Sequence, residues 1–203
     1  MSTAFELLLL ILPILYALTI HEVAHGWVAL RLGDPTAKYA GRLTLNPLRH
    51  LDPIGTIMLF IAKIGWAKPV PVNPMYFQNP ARDMALVALA GPTSNFLSAF
   101  VFGQIYRAIQ GTTGLPYLEL LLFYFVYINL ILAFFNLIPL APLDGWRILS
   151  FVLPREPWVY TLERSGPILL LIVIVMPMFL GINLLGMILS PLMNVGLHLT
   201  IGG

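Results

Sequence analysis

The sequence predicts an all-α polytopic membrane protein, with about four transmembrane helices and a small membrane-associated β element in the first loop. Three observations carry this. Of 203 residues, 59% are hydrophobic and only 10% charged, against about 25% charged in an ordinary soluble domain. The mean hydropathy is +0.87. The apolar residues also gather in four long runs, each able to cross roughly 30 Å of hydrocarbon as a helix of about 20 residues. At about 150 residues per domain, one compact domain over residues 1–203 is expected.

The first run covers about residues 4–32. It has no basic stretch before it and no small-residue cleavage site, so it is expected to remain in the mature chain. The region from Arg31 to Asp83 follows. Within it Gly55–Trp66 is apolar but short and contains Lys63, which suits a re-entrant, interfacial or β-like segment better than a span. Pro69, Pro71 and Pro74 then forbid helix and favour an extended edge, so a small strand hairpin is expected here. The remaining runs cover about 84–109, 117–140 and 167–189.

Ten of the eleven Lys and Arg residues fall in the first loop and in the loop after the third run; the other is Arg107. Basic residues accumulate on the cytoplasmic side. Both loops are therefore expected in the cytoplasm, with both termini outside a cell membrane. A net charge of +2 gives no argument for nucleic acid. There is no cysteine, hence no disulfide framework and no thiolate metal site. Any metal must be held by His, Asp or Glu.

His21-Glu22-Val23-Ala24-His25 is an H-E-x-x-H pattern inside the first run. On a helix, positions i and i+4 share one face, so both imidazoles can grip one ion. Glu22 can then serve as general base toward a metal-bound water. Ionisable groups in a membrane helix are costly unless paired or used. Two histidines and a glutamate there point to a ligand rather than to a polar cluster holding helices together.

A catalytic zinc takes three protein ligands and a water. His50, His198, Glu119 and Asp83 are considered for the third ligand, and Asp83 reads better as a helix N-cap or surface charge. Asp144 is favoured. It lies in Asn136-Leu-Ile-Pro-Leu-Ala-Pro-Leu-Asp144-Gly145 at the cytoplasmic end of the third run, the same side as the end of the first. Its prolines would free backbone groups to line a cavity. A turn carboxylate before Gly145 is the plainer alternative.

These residues resemble the site-2 protease family of intramembrane metalloproteases. The likeness rests on H-E-x-x-H at His21–His25, the N-x-x-P-x-x-x-L-D-G form at Asn136–Gly145, the G-P-x-x-N segment at Gly91–Asn95, and Leu45–Gly55, which is similar to the short bacterial and archaeal branch. It covers about residues 15–150. It implies a catalytic core over about 4–150 with an extra transmembrane helix at about 167–189. It further implies Zn2+ held by His21, His25 and Asp144, water activated by Glu22, and a first-loop β element that presents an unwound substrate strand. The expected partner is a membrane protein cut within a transmembrane segment, as in regulated intramembrane proteolysis. Trp146 departs from the family, many of whose members have a second glycine there. No PDZ or CBS domain is expected.

Four further residues are candidate substrate contacts. Asn136 would hydrogen-bond the substrate backbone or a developing oxyanion, or else another helix. Asn95, beside Gly91 and Pro92, would shape helix packing or reach water or substrate. Val70 and Asn73 would pair with an extended substrate by β-addition, or else form ordinary loop. Two rival functions remain: a zinc-binding membrane transporter or sensor using the same ligands, and a membrane scaffold with no chemistry.

Overall fold

The computed structural model describes residues 3–55, 57, 65, 67–112, 114–153 and 156–202, with side chains from residue 9 onward. Its helices are α1 (Thr3–Arg31), the single turn α2 (Thr36–Tyr39), α3 (Pro80–Ile109), α4 (Pro116–Asn136), the short α5 (Asp144–Val152), α6 (Pro157–Leu180) and α7 (Leu184–Ile201).

Local sequence sets the ends of these helices. Asn79 accepts a hydrogen bond from the Arg82 amide at the start of α3, with Pro80 in the first turn. Proline suits that position because its missing N–H would have had no partner there. Asp83 completes this corner by accepting from the Asn79 amide and pairing with Arg82. Gly181 closes α6 at φ +67°, a left-handed conformation that glycine adopts without strain. Asn183 then caps α7 through the Gly186 amide.

Four helices form a bundle of alternating direction. Tyr16, His21 and His25 on α1 bond Ser98, Asn95 and Val87 on α3, so those two helices are antiparallel. Asn95–Asn129, Phe102–Phe125 and Tyr106–Phe123 make α3 and α4 antiparallel. α7 runs parallel to α3: its Gly196 packs beside Leu130 and Phe134 of α4, its Thr200 meets Gly103, and Gly202 lies near Arg107. The core is Ala99, Val126, Leu130 and Met193, with Phe96, Phe102 and Phe134 around it. Small residues, Ala99, Gly103 and Gly196, let these helices approach closely.

Two expectations are corrected. Five helices, not four, are long and apolar enough to cross a membrane. The run at 167–189 is not one helix. It breaks at Gly181, and α7 returns along the bundle. α7 starts at the end where α4 finishes, and the first part of α6 lies near that end. It packs there by Val159 and Gly166 against Ala141 and Trp146, and is scarcely buried elsewhere.

The predicted β element is also not supported. Among the described residues it amounts to one isolated antiparallel bridge, Leu51 to Ala67, with the Lys68 amide on the His50 carbonyl at 2.8 Å. Pro69 and Pro71 lack the N–H groups that would extend the ladder. Most of Gly55–Trp66, read as re-entrant, interfacial or β-like, lies outside the described residues.

Candidate active site

α1 places His21 and His25 one turn apart on the face toward α3, both buried. The rings meet edge to face with centroids 4.5 Å apart. Asp144, the first residue of α5, reaches them from the turn after α4. Its Oδ2 lies 3.1 Å from His21 Nε2 and 3.2 Å from His25 Nε2.

Glycine backbone makes this approach possible. A Cβ on Gly91 would sit 2.5 Å from His25 Nε2 and 2.6 Å from His21 Cε1, so the imidazoles lie directly on α3. A Cβ on Gly145 would run into the Leu137 and Ile138 carbonyls. Trp146, where the family pattern is broken, is buried against Ala141 and Val159 and ties α5 to α6.

The far side of each ring determines what the near side can do. His21 Nδ1 is 2.6 Å from Asn95 Oδ1, and His25 Nδ1 is 2.7 Å from the Val87 carbonyl. Both partners are acceptors, so each Nδ1 carries a proton and donates. In the neutral rings both Nε2 atoms then present lone pairs. They present them to Asp144 Oδ2, itself buried with no hydrogen-bond donor. Three acceptors converging in this way suit a cation between them. All three ligand atoms lie within 4.8 Å of one another. Metal bonds of about 2.0–2.1 Å at a tetrahedral angle would set such atoms roughly 3.3 Å apart. Two imidazoles and a carboxylate, with the outer nitrogens held by second partners, suit zinc. The residues present therefore fit a metal ion.

Glu22, half-buried, follows His21 on α1, and its Oε2 accepts the Val70 amide at 2.7 Å. Arg42 holds that extended segment in place, donating to the Lys68 carbonyl at 2.6 Å and the Pro69 carbonyl at 3.2 Å. Burial pulls the Arg42 pKa below its usual value, and the Glu22 carboxylate opposes that shift. His50 supports Arg42 from below and bonds the Thr44 carbonyl, so it is built into the loop and away from the cluster.

The other sequence candidates fall as follows. Val70 is buried and its amide is engaged by Glu22. The Asn73 amide donates to Asp34 at 2.7 Å, and its side chain caps the turn at Met75. Asn95 is fully buried and touches His21. Asn136 is half-buried and donates to the Leu132 carbonyl of its own helix at 2.9 Å. Glu119 accepts from the Gly111 amide, Asp83 completes the α3 corner, and His198 lies on the last turn of α7. None of these three joins His21, His25 and Asp144 in the cluster. Sequence reasoning missed Asn129, which is fully buried and bonded to Asn95. A lone asparagine in an apolar helix carries no motif, and only its amide in hydrocarbon marked it.

The profile of Peptidase family M50 matches residues 111–180, the part that carries Asp144. YwhC of Bacillus subtilis strain 168 is 40% identical over 196 residues, covering 92% of this chain and 86% of that protein. Rip2 of Mycolicibacterium smegmatis is 31% identical over 142 residues, 67% of this chain and 54% of its own length. MJ0611 of Methanocaldococcus jannaschii is 28% identical over 134 residues, 64% of this chain and 63% of its own. All three bear provisional names as zinc metalloproteases. No solved structure matches the chain. With five apolar helices and two of the three clustered residues on the first of them, the chain belongs to peptidase family M50, the site-2 protease family of zinc metalloproteases, as a multi-pass membrane member.

Proposed function

We propose that this protein is an intramembrane zinc endopeptidase that hydrolyses peptide bonds in the transmembrane segments of other membrane proteins. The observation that carries the reading is the convergence of His21 Nε2, His25 Nε2 and Asp144 Oδ2 with no donor among them, beside Glu22 and within an apolar helix. Zinc held by these three residues would polarise the scissile carbonyl and lower the pKa of a bound water.

Glu22 takes the proton of the attacking water and passes it to the leaving amine nitrogen. Asn136, at the end of α4, has its amide nitrogen committed to Leu132, and its oxygen is the atom offered to a substrate amide. Asn95 acts on His21 and not on the substrate. Val70 and Asn73 line the extended segment over Glu22. Their amides are engaged, so a substrate strand pairs with their carbonyls or exchanges with the Val70–Glu22 bond.

A groove of about 330 Å³ lined by Leu12, Tyr16 and Ile20 of α1, Phe125 of α4, and Leu45 and Pro47 of the first loop is the entry route for an apolar segment. The distribution of Lys and Arg supports a cytoplasmic position for the loops that carry the site.

The test pairs zinc content with cleavage of a reporter bearing a transmembrane segment. Purified wild type should hold about one zinc per chain. Glu22→Gln should keep the zinc and lose cleavage by about 10²–10⁴-fold, the usual worth of a general base. Cleavage at the wild-type rate in Glu22→Gln would overturn the mechanism. Zinc flux through vesicles carrying that variant would favour a transporter.

A further inference from the structure

Only one of the two histidine tautomers is secured by backbone. His25 donates to the Val87 carbonyl, which cannot turn. His21 donates to the side-chain amide of Asn95, and an amide rotated by half a turn would offer N–H in place of oxygen. Its Nδ1 would then have to accept, the ring proton would move to Nε2, and the lone pair facing Asp144 would be lost.

Two contacts oppose that rotation. Asn95 Nδ2 donates to the Ala17 carbonyl at 3.0 Å and to Asn129 Oδ1 at 2.8 Å. Asn129 is a side-chain amide too, but it is anchored. Its own Nδ2 donates to the Phe125 carbonyl at 2.8 Å, which leaves only its oxygen for Asn95. Direction therefore reaches His21 through Asn95 from two backbones, from α1 directly at Ala17 and from α4 through Asn129. Asn95 and Asn129 are both fully buried, where a misdirected amide is costly.

We infer that Asn129, which touches no ligand atom, is a positioning residue for the metal centre: through Asn95 it fixes His21 in the Nδ1–H tautomer and so keeps Nε2 free to bind the ion. The inference rests on the metal-site reading above. Its weight is expected to be that of an outer-shell partner, whose removal costs about 10–100-fold in metal affinity.

The experiment measures zinc dissociation constants by chelator competition on purified, folded protein. It also records the visible absorption of the cobalt(II)-substituted forms. Wild type comes first: failure to bind either metal would defeat the metal-site reading itself, before the inference is reached. Given binding, Asn129→Leu should weaken zinc by about 10-fold or more and change the cobalt bands. Asn129→Asp, as a carboxylic acid, keeps an acceptor oxygen for Asn95 and an O–H for the Phe125 carbonyl, and should stay within about 3-fold of wild type, a small part of that outer-shell effect. Should Asn129→Leu not fold, Asn129→Ala removes the amide without added bulk and gives the same readout. Wild-type affinity and an unchanged cobalt spectrum in a folded Leu or Ala variant would overturn the inference. So would equal weakening in the Asp variant, which would reduce Asn129 to helix packing.

Discussion

At Gly91 one methyl group decides whether the imidazoles can stay where they are. Gly91→Ala would place a carbon within 2.6 Å of both rings, against helix backbone that has little room to retreat. Overpacking of this kind costs about 1–3 kcal/mol. The expected outcome is a folded protein with much reduced zinc, read by metal analysis; full zinc would show that α1 can move aside. His25→Ala removes a ligand outright and should leave less than about a tenth of the bound zinc, since three protein ligands are the minimum of such a site. At this scale the sequence was informative where chemistry is expensive. His21, Glu22 and His25 announce themselves because ionisable groups rarely sit in an apolar helix without a use. Asp144 is legible only beside them. Asn129 and the Val70–Glu22 contact were not legible, because each depends on which helix or loop faces which.

Among the elements, the extended segment after Ala67 depends most on a single side chain. Arg42 is buried and donates to two consecutive carbonyls there, whereas the prolines leave the segment little ladder of its own. Arg42→Gln should free it. Charge-assisted bonds are worth about 1.5–3 kcal/mol, so limited proteolysis near residues 67–73 should accelerate by at least 10-fold. Proteolysis unchanged from wild type would place the restraint elsewhere, with Asp34 and its bond to the Asn73 amide the next candidate. The same segment shows why the β expectation failed. Prolines that exclude helix also remove the donors a hairpin needs, and side chains supply the missing partners. The split between α6 and α7 was equally hidden. Gly181-Ile182-Asn183 interrupts the apolar run too briefly to register as hydropathy, yet a left-handed glycine followed by a cap is enough to turn the chain.

For the whole molecule, a metal at His21, His25 and Asp144 would clamp α1 to α5. Ligand present at 100 times its dissociation constant stabilises by about 2.7 kcal/mol. Chelation should then lower the Tm of the detergent-solubilised protein by roughly 5–10 °C for a chain of this size. An unchanged Tm after verified zinc removal would show that the helices hold the site without it. Orientation can be read directly, since the chain has no cysteine. Single cysteines at Lys38 and Thr112 should label from opposite sides of sealed vesicles, Lys38 from the cytoplasmic face. Labelling from one side would overturn the alternating arrangement. The clamp also bears on biosynthesis. His21 enters the membrane with the first helix, whereas Asp144 is translated only after α4, so the ribosome must produce roughly the first three quarters of the chain before a complete ligand set exists. On that reading of the three residues, the nascent chain holds no complete metal site until its later helices dock.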